Sequence, residues 1–184
     1  MNNQLDNDSL RANREKWTYR GQHRPPFAHE PGPGQESIWD YPRPPALVPD
    51  GRLVIVQSVA GMIAETHKAV RICETAGPPT FYIPPADINF DLLVEIAGTS
   101  MCEWKGQARY WALPAHVNEV VGWDYPEPFP EFASIAGFLS FYPGRIRCTV
   151  DGEIVRPQPG GFYGGWITAE IVGPFKGEPG TQSW

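Results

Sequence analysis

Cysteine is scarce in this chain. There are three, Cys73, Cys102 and Cys148, odd in number and far apart. No Cys-x-x-Cys pair exists, and His23, His29, His67 and His116 form no ligand-spaced cluster. A disulfide framework is therefore not expected, nor is a structural zinc site, which needs a closed set of four ligands. No cofactor or metal is expected. No run of 18 apolar residues occurs, which argues against a transmembrane helix. Basic residues are outnumbered, with Lys+Arg 15 against Asp+Glu 21 and a formal net charge of -6. That balance argues against nucleic acid as a partner, since such proteins show a basic face. The start, Met1 to Asp8, lacks the basic opening and apolar core of a signal peptide. A cytoplasmic protein away from membranes is expected.

Proline (21) and glycine (19) are plentiful, and Trp (7), Tyr (7) and Phe (9) are well represented among the 184 residues. Proline removes a backbone donor and breaks helix interiors, so long helices are not expected. Aromatics favour strands and half-buried surfaces. The length suits one ordinary domain with a real core. The composition thus predicts a mainly β fold with one or two short helices and Pro/Gly-rich extended arms at both ends.

Residues 1–50 read as an N-terminal arm. A polar stretch from Asp8 to Trp17 has helical character, and Arg24-Pro25-Pro26-Phe27, Pro31-Gly32-Pro33-Gly34 and Arg43-Pro44-Pro45 favour extended backbone. The first part is either disordered or a short helix. The arm is either disordered or wrapped over the core and anchored by Trp17, Phe27, Trp39 and Tyr41, and wrapping is expected for Ile38 to Pro42. Residues 51–156 read as the β-rich core. Strands are expected at Leu53–Val56, Met62–Glu65, Ala69–Glu74, Thr80–Ile83, Tyr110–Leu113 and His116–Val121. Ala86 to Ile96 has apolar positions at helical spacing and is expected to be a helix, with Asp87 at its N-terminus. Phe132 to Gly137 suits a short helix or turn. Asp151-Gly152 between two alternating runs signals a hairpin. Residues 157–184 read as a Gly/Pro/aromatic tail packed on the core. Gly160 to Trp166 lacks the Lys-Ser/Thr of a phosphate loop and reads as a loop against aromatic surface.

The chemistry concentrates in Cys102-Glu103-Trp104-Lys105-Gly106-Gln107-Ala108-Arg109-Tyr110-Trp111. If Cys102 and Lys105 share a cavity, the cation favours the thiolate. Desolvated by Trp104 and Tyr110, Lys105 could instead become a neutral amine. The plainer reading makes Cys102 a small buried hydrophobe and packs the Lys105 stem on tryptophan. Glu74 is a candidate base, or a partner for Lys105 or Arg109, or an exposed strand-end carboxylate. Tyr82 either offers a hydroxyl to a ligand or fills the core. Trp104, Trp111, Trp123 and Tyr125 either wall a pocket for a flat ring or cation, or pack a β core. Asp87 and Asp91, four apart, could hold Mg²⁺, but a helix N-terminus accounts for Asp87 more simply.

Four groups of residues together resemble a known family. They are Glu74…Pro79…Tyr82-Ile83-Pro84…Asp87, Cys102-x-Trp104-Lys105-Gly106-x-Ala108-x-Tyr110, Trp123-x-Tyr125-Pro126, and Ile135-x-Gly137-x-x-x-Phe141-Tyr142. The pattern, over about residues 50 to 150, resembles the bacterial and fungal domain of unknown function 427, which also carries a nucleotidyltransferase-like label. Trp39-Asp40-Tyr41-Pro42 and Pro157 to Trp166 resemble the flanks of a longer bacterial form. The resemblance implies a compact two-sheet, β-tent-like fold. Relatives of that fold often bear Cys-x-x-Cys zinc knuckles, which this chain lacks. Some hold a flat heterocycle in a tryptophan cage. Neither spaced acidic metal ligands after a Gly-Ser start nor a P-loop accompanies the nucleotidyltransferase label here.

Two functions follow as expectations. One is an enzyme acting on a small planar or polar molecule, with Lys105, Cys102 and Glu74 reactive and Tyr82, Trp104, Arg109, Tyr110, Trp123 and Tyr125 contacting the ligand. The other is a noncatalytic module binding a small ligand or peptide in an aromatic cage. A small-molecule ligand is the expected partner, with a homodimer left open.

Overall fold

The computed structural model describes the backbone of residues 2–184 and the side chains from residue 8 on. The fold is mainly β, with 36% of residues in strands against 15% in helices, so packing is governed by sheet faces. Helix α1 (Asn2–Glu15) opens the chain and is longer than the Asp8–Trp17 stretch suggested, though it stops short of Trp17. Arg14 sits in its last turn, where a cation suits the unpaired carbonyls.

An extended arm then runs through β1 (Glu36–Ser37) and a 3₁₀ turn at Ile38–Asp40, whose Ser37 side chain accepts from the Trp39 N–H. The core strands follow as β2 (Ala46–Asp50), β3 (Val54–Ser58), β4 (Gly61–Thr66), β5 (Ala69–Cys73) and β6 (Thr80–Tyr82). Next come β7 (Val94–Cys102), β8 (Gly106–Ala112), β9 (Val120–Asp124) and β10 (Ser140–Phe141). The last are β11 (Arg147–Val150), β12 (Glu153–Ile154), β13 (Arg156–Pro157), β14 (Trp166–Ile167) and β15 (Ile171–Val172).

Two four-stranded sheets, β10-β9-β8-β7 and β12-β11-β3-β4, and the three-stranded β2-β5-β6 enclose the core. Small pairs tie the ends down: β1 runs parallel to β15, and β13 pairs with β14. The hairpin at Asp151-Gly152 forms as expected, with both residues at positive φ (48° and 82°). Both central positions of a type I′ turn require that geometry.

The helix expected over Ala86–Ile96 does not form. Isolated 3₁₀ turns occupy Pro85–Asp87 and Phe90–Leu92, and Val94 already begins the long strand β7. Ile88 is extended and bridges Ala64, while the Asn89 N–H donates to the Ile63 carbonyl. Pairing with β4 thus wins over a helical period that rested on few residues. Asp87 accepts from the Thr66 hydroxyl at 2.6 Å instead of capping a helix. The strand expected from His116 begins only at Val120, because Pro114–His116 forms another 3₁₀ turn. Phe132–Gly137 is a turn, as expected, the end of a 3₁₀ segment at Pro130–Ile135.

Three apolar clusters result. The largest joins Val54, Val56, Ile63, Phe81, Leu139, Phe141 and Trp166. A second, around Tyr82, Trp104, Trp123, Tyr125, Phe132 and Ile135, lies behind the site described next. The third holds the arm and tail: Ile38, Trp39, Tyr41 and Ile171 pack with Tyr19, Phe175 and Trp184. Trp39 alone meets the rings of Tyr19, Phe27 and Trp184 edge-on at 5.2–5.3 Å. Edge-to-face pairs at this spacing contribute about 0.5–1.5 kcal/mol each beyond burial.

Candidate functional site

A cavity of about 580 Å³ opens where sheets β10-β9-β8-β7 and β2-β5-β6 meet the arm and tail. That lies within the range of small-molecule sites, about 300–1,000 Å³. Strand alternation decides what faces it. Along β8, Ala108 and Tyr110 point to the cavity while Arg109 and Trp111 point away. Along β9 and just beyond, Trp123 and Tyr125 face in and Asp124 faces out.

The β7–β8 connection supplies the charged wall. Cys102 pairs with Gly106, leaving Glu103, Trp104 and Lys105 as a three-residue turn. Gly106 has φ +102°, and the Phe129 N–H donates to the Lys105 carbonyl at 3.1 Å, which pins the turn. Lys105 is 8% exposed, and its ammonium lies 5.7 Å from the Tyr125 ring centre. Among the described residues no carboxylate comes within ion-pair distance of it. Burial works against its charge, but Cys102, Tyr82 and Glu74 more than offset this, so its pKa lies above the ordinary lysine value. That direction favours the ammonium form of Lys105 over the neutral amine.

Tyr82 is fully buried, and its hydroxyl accepts from the Trp123 indole N–H at 3.0 Å. Burial raises the pKa of Tyr82 and of Tyr125, so both phenols are neutral. Tyr110 donates to the Ser100 hydroxyl at 2.6 Å. Cys102 stands at the cavity edge, 4.0 Å from a Glu103 carboxylate oxygen. The other two cysteines are buried in the core, which pushes Cys73 up to about 11 and Cys148 higher.

Of the nine residues singled out in the sequence, seven line the cavity: Lys105, Cys102, Glu74, Tyr82, Tyr110, Trp123 and Tyr125. Two lie elsewhere. Trp104 is 4% exposed, packed in the second cluster beneath the Arg14 guanidinium at 5.3 Å, and among the described residues its indole N–H has no partner. Arg109 is on the opposite face of β8. It chelates the buried Asp124 at 3.0 and 2.7 Å, pairs with Glu95 at 3.1 Å and stacks over Trp111. Glu74 is no free base, because the Arg43 Nε donates to it at 2.9 Å.

The arm and tail add residues that the sequence did not single out for the site. Arg43, its side chain 1% exposed, holds Glu74 and donates to the carbonyls of Tyr19 and Thr75 and to the main-chain oxygen of Trp184. Trp17 enters from the segment after α1, and its indole N–H donates to Glu103 at 2.9 Å. The cations of Arg43 and Lys176 lie 4.5 and 3.5 Å from its ring centre. Phe162, Tyr163 and Gly164 come from the glycine loop. Lys16, Arg43, Lys105, Arg145 and Lys176 thus border the cavity against only Glu74 and Glu103, in a chain of net charge -6.

The model of the family described as a domain of unknown function (DUF427) matches residues 46–155, more than half of the chain. The chain belongs to the DUF427 family. The match takes in the β7–β8 turn, Tyr82, Trp123 and Tyr125, and leaves Trp17, Arg43, Tyr163 and Lys176 outside the DUF427 span. No curated protein matches the chain. Among the described residues, no three His, Cys, Asp or Glu side chains gather into a metal site. Nor is any described helix long and apolar enough to cross a membrane.

Proposed function

We propose that this cavity binds a small planar molecule carrying an anionic group. The observation that carries the reading is the ammonium of Lys105, buried, charged and without a carboxylate partner, facing a cavity walled by Tyr82, Trp123 and Tyr125. An ammonium without a carboxylate partner leaves its charge available to an anionic ligand, and a charge-assisted hydrogen bond to that ligand is stronger than a neutral one. Rings on the walls suit a flat ligand. The excess of cations around the cavity, inside an acidic protein, concentrates anions there. The nucleotidyltransferase label is not adopted, since phosphoryl transfer needs acidic metal ligands and a phosphate cradle.

The test is a thermal-shift and calorimetry panel of aromatic carboxylates, nucleoside monophosphates and neutral heterocycles. Planar anions should bind and neutral analogues of the same ring should bind at least about tenfold more weakly. Lys105→Met should remove that preference in a folded protein. Equal affinity for charged and neutral rings, or an unaltered preference in the variant, would rule the reading out.

A second reading, an enzyme with Cys102 as nucleophile, draws on one observation: Cys102 borders the cavity while Cys73 and Cys148 are buried. Under it, an aromatic electrophile bearing a carboxylate labels Cys102 faster than it labels the unfolded chain. Labelling at the unfolded rate would remove it.

A further inference from the structure

The cavity is rich in cations, but most of their hydrogen-bond donors are already committed. Arg43 spends its guanidinium on Glu74 and on the main-chain oxygens of Tyr19, Thr75 and Trp184. Lys176 donates to the Trp184 main-chain oxygen at 3.0 Å, and its Nζ lies 3.5 Å from the Trp17 ring centre. Arg145 donates to the Val120 and Gly161 carbonyls at 2.9 and 3.2 Å and lies over the Tyr142 ring. Lys16 donates to the Asn13 side chain at 3.2 Å. Lys105 is the exception. It is 8% exposed, and among the described residues no oxygen accepts from its ammonium.

The neutral donors divide in the same way. Tyr110 is spent on Ser100, and the Gln158 amide on the Lys176 carbonyl and the Gly165 N–H. The Tyr82 hydroxyl is tied to Trp123. Tyr125 lines the cavity at 5% exposure, and among the described residues no oxygen accepts from its hydroxyl. Tyr142 and Tyr163 stand nearer solvent, where water serves them. The Lys105 Nζ is 5.7 Å from the Tyr125 ring centre, and the Cys102 sulfur, a weak acceptor, adjoins both side chains. One ammonium and one phenol O–H thus converge on one small space.

That pair of donors decides which anion suits the cavity. A carboxylate brings two oxygens and one charge, which an ammonium and a hydroxyl match. A phosphate brings three terminal oxygens and about −1.5 to −2 charge near pH 7. Such a group is ordinarily held by a helix N-terminus or by several free Arg and Lys side chains. No residue lining this cavity begins a helix. The surplus of cations draws anions in, but only Lys105 has its donors free to bind one.

We propose that this cavity selects a planar monocarboxylate over a phosphate, with Lys105 and the Tyr125 hydroxyl as the two donors to its carboxylate. The inference rests on the cavity being an anion site. It adds the class of anion and a residue that selects it.

The test is calorimetry on the full chain near pH 7.5, with one ring and three head groups: 2-naphthoate, 2-naphthylphosphonate and 2-naphthamide. 2-Naphthoate should bind at least about tenfold more tightly than either of the others. Tyr125→Phe should weaken 2-naphthoate by about tenfold while unfolding in urea at the parent's midpoint, since the lost hydroxyl serves no protein group. Tyr142→Phe is the control and should leave 2-naphthoate within about twofold of the parent.

If 2-naphthylphosphonate binds as tightly as 2-naphthoate and 2-naphthamide binds weakly, the carboxylate assignment is overturned while the cavity stays an anion site. Equal binding of all three removes the anion site, and this inference with it. Unchanged affinity for 2-naphthoate in a folded Tyr125→Phe variant overturns the role of Tyr125. An equal loss in Tyr142→Phe does the same.

Discussion

The Trp123 indole N–H donates to the Tyr82 hydroxyl at 3.0 Å, and the rings meet edge-on, 6.2 Å apart at 89°. Tyr82 ends β6 and Trp123 belongs to β9, so this bond links two different sheets across the cavity wall. Next to it, Ile83 and Leu139 exchange backbone hydrogen bonds at 2.8 and 3.0 Å, extending the seam. The wall is therefore also the joint of the fold. Altering it tests stability and binding together.

Tyr82→Phe removes the acceptor and leaves the Trp123 N–H without a protein partner. A buried donor so exposed to loss costs about 1–3 kcal/mol. Urea unfolding should show that drop with an unchanged slope. The cavity keeps its shape, so binding of planar anions should change less than about fivefold. A stability loss near zero would mean that water already serves the indole.

The strands and hairpins were readable because their signals are local. Asp151-Gly152 needs positive φ at two adjacent positions, and few residue pairs allow it. The cluster from Cys102 to Tyr110 was readable because one hairpin supplies it. Within that hairpin the reading failed where face mattered. Period-two alternation from Gly106 sends Arg109 away from Tyr110, but the sequence does not mark where β8 begins. Trp104, in the middle of the turn, had no periodicity to place it. Trp17 and Tyr163 were legible only as aromatics of the arm and of the glycine loop, and Arg43 and Lys176 not at all, for another reason. They reach the cavity from segments far apart in the chain, and such contacts leave no spacing to read. Ala86–Ile96 shows the opposite error, an apolar period of 3.6 that was coincidental.

Trp17→Ala should open the cavity mouth. The indole is held by Glu103 and by the cations of Arg43 and Lys176. Cation–π contacts contribute about 0.5–2 kcal/mol each, so a stability loss of about 1–3 kcal/mol is expected. Faster entry should accompany it, read as a higher association rate for a planar anion in stopped-flow fluorescence. An unchanged rate would show that Trp17 does not govern access.

Gly164→Ala tests how closely the glycine loop must approach. A Cβ there would lie 2.2 Å from the Trp123 Cη2 and 2.6 Å from its Cζ3. The indole is fixed by the bond to Tyr82, so loop or ring must shift, at about 1–3 kcal/mol. Near-ultraviolet circular dichroism should register the displaced indole. Gly161→Ala is the control. Nothing lies within 4 Å of its Cβ, and only its positive φ of 69° is strained, at about 1–2 kcal/mol. Its aromatic spectrum should stay that of the parent.

The stability of the fold should depend on pH through Lys176 in a definite direction. Its folded pKa lies at about 8, below the 10.5 of an ordinary lysine. Between those values the unfolded chain holds more protons than the folded one, so stability rises with pH there. Below 8 the full cost of burying the ammonium is present, and above 10.5 it has gone. Lys176→Met lacks this group. Its stability advantage over the parent should therefore be largest near pH 7 and shrink by up to about 3 kcal/mol by pH 10.5. Chemical denaturation of both proteins at several pH values, compared as differences, cancels the tyrosines that titrate in the same range. A constant difference would mean that the Trp17 ring and the Trp184 main-chain oxygen already compensate the buried charge.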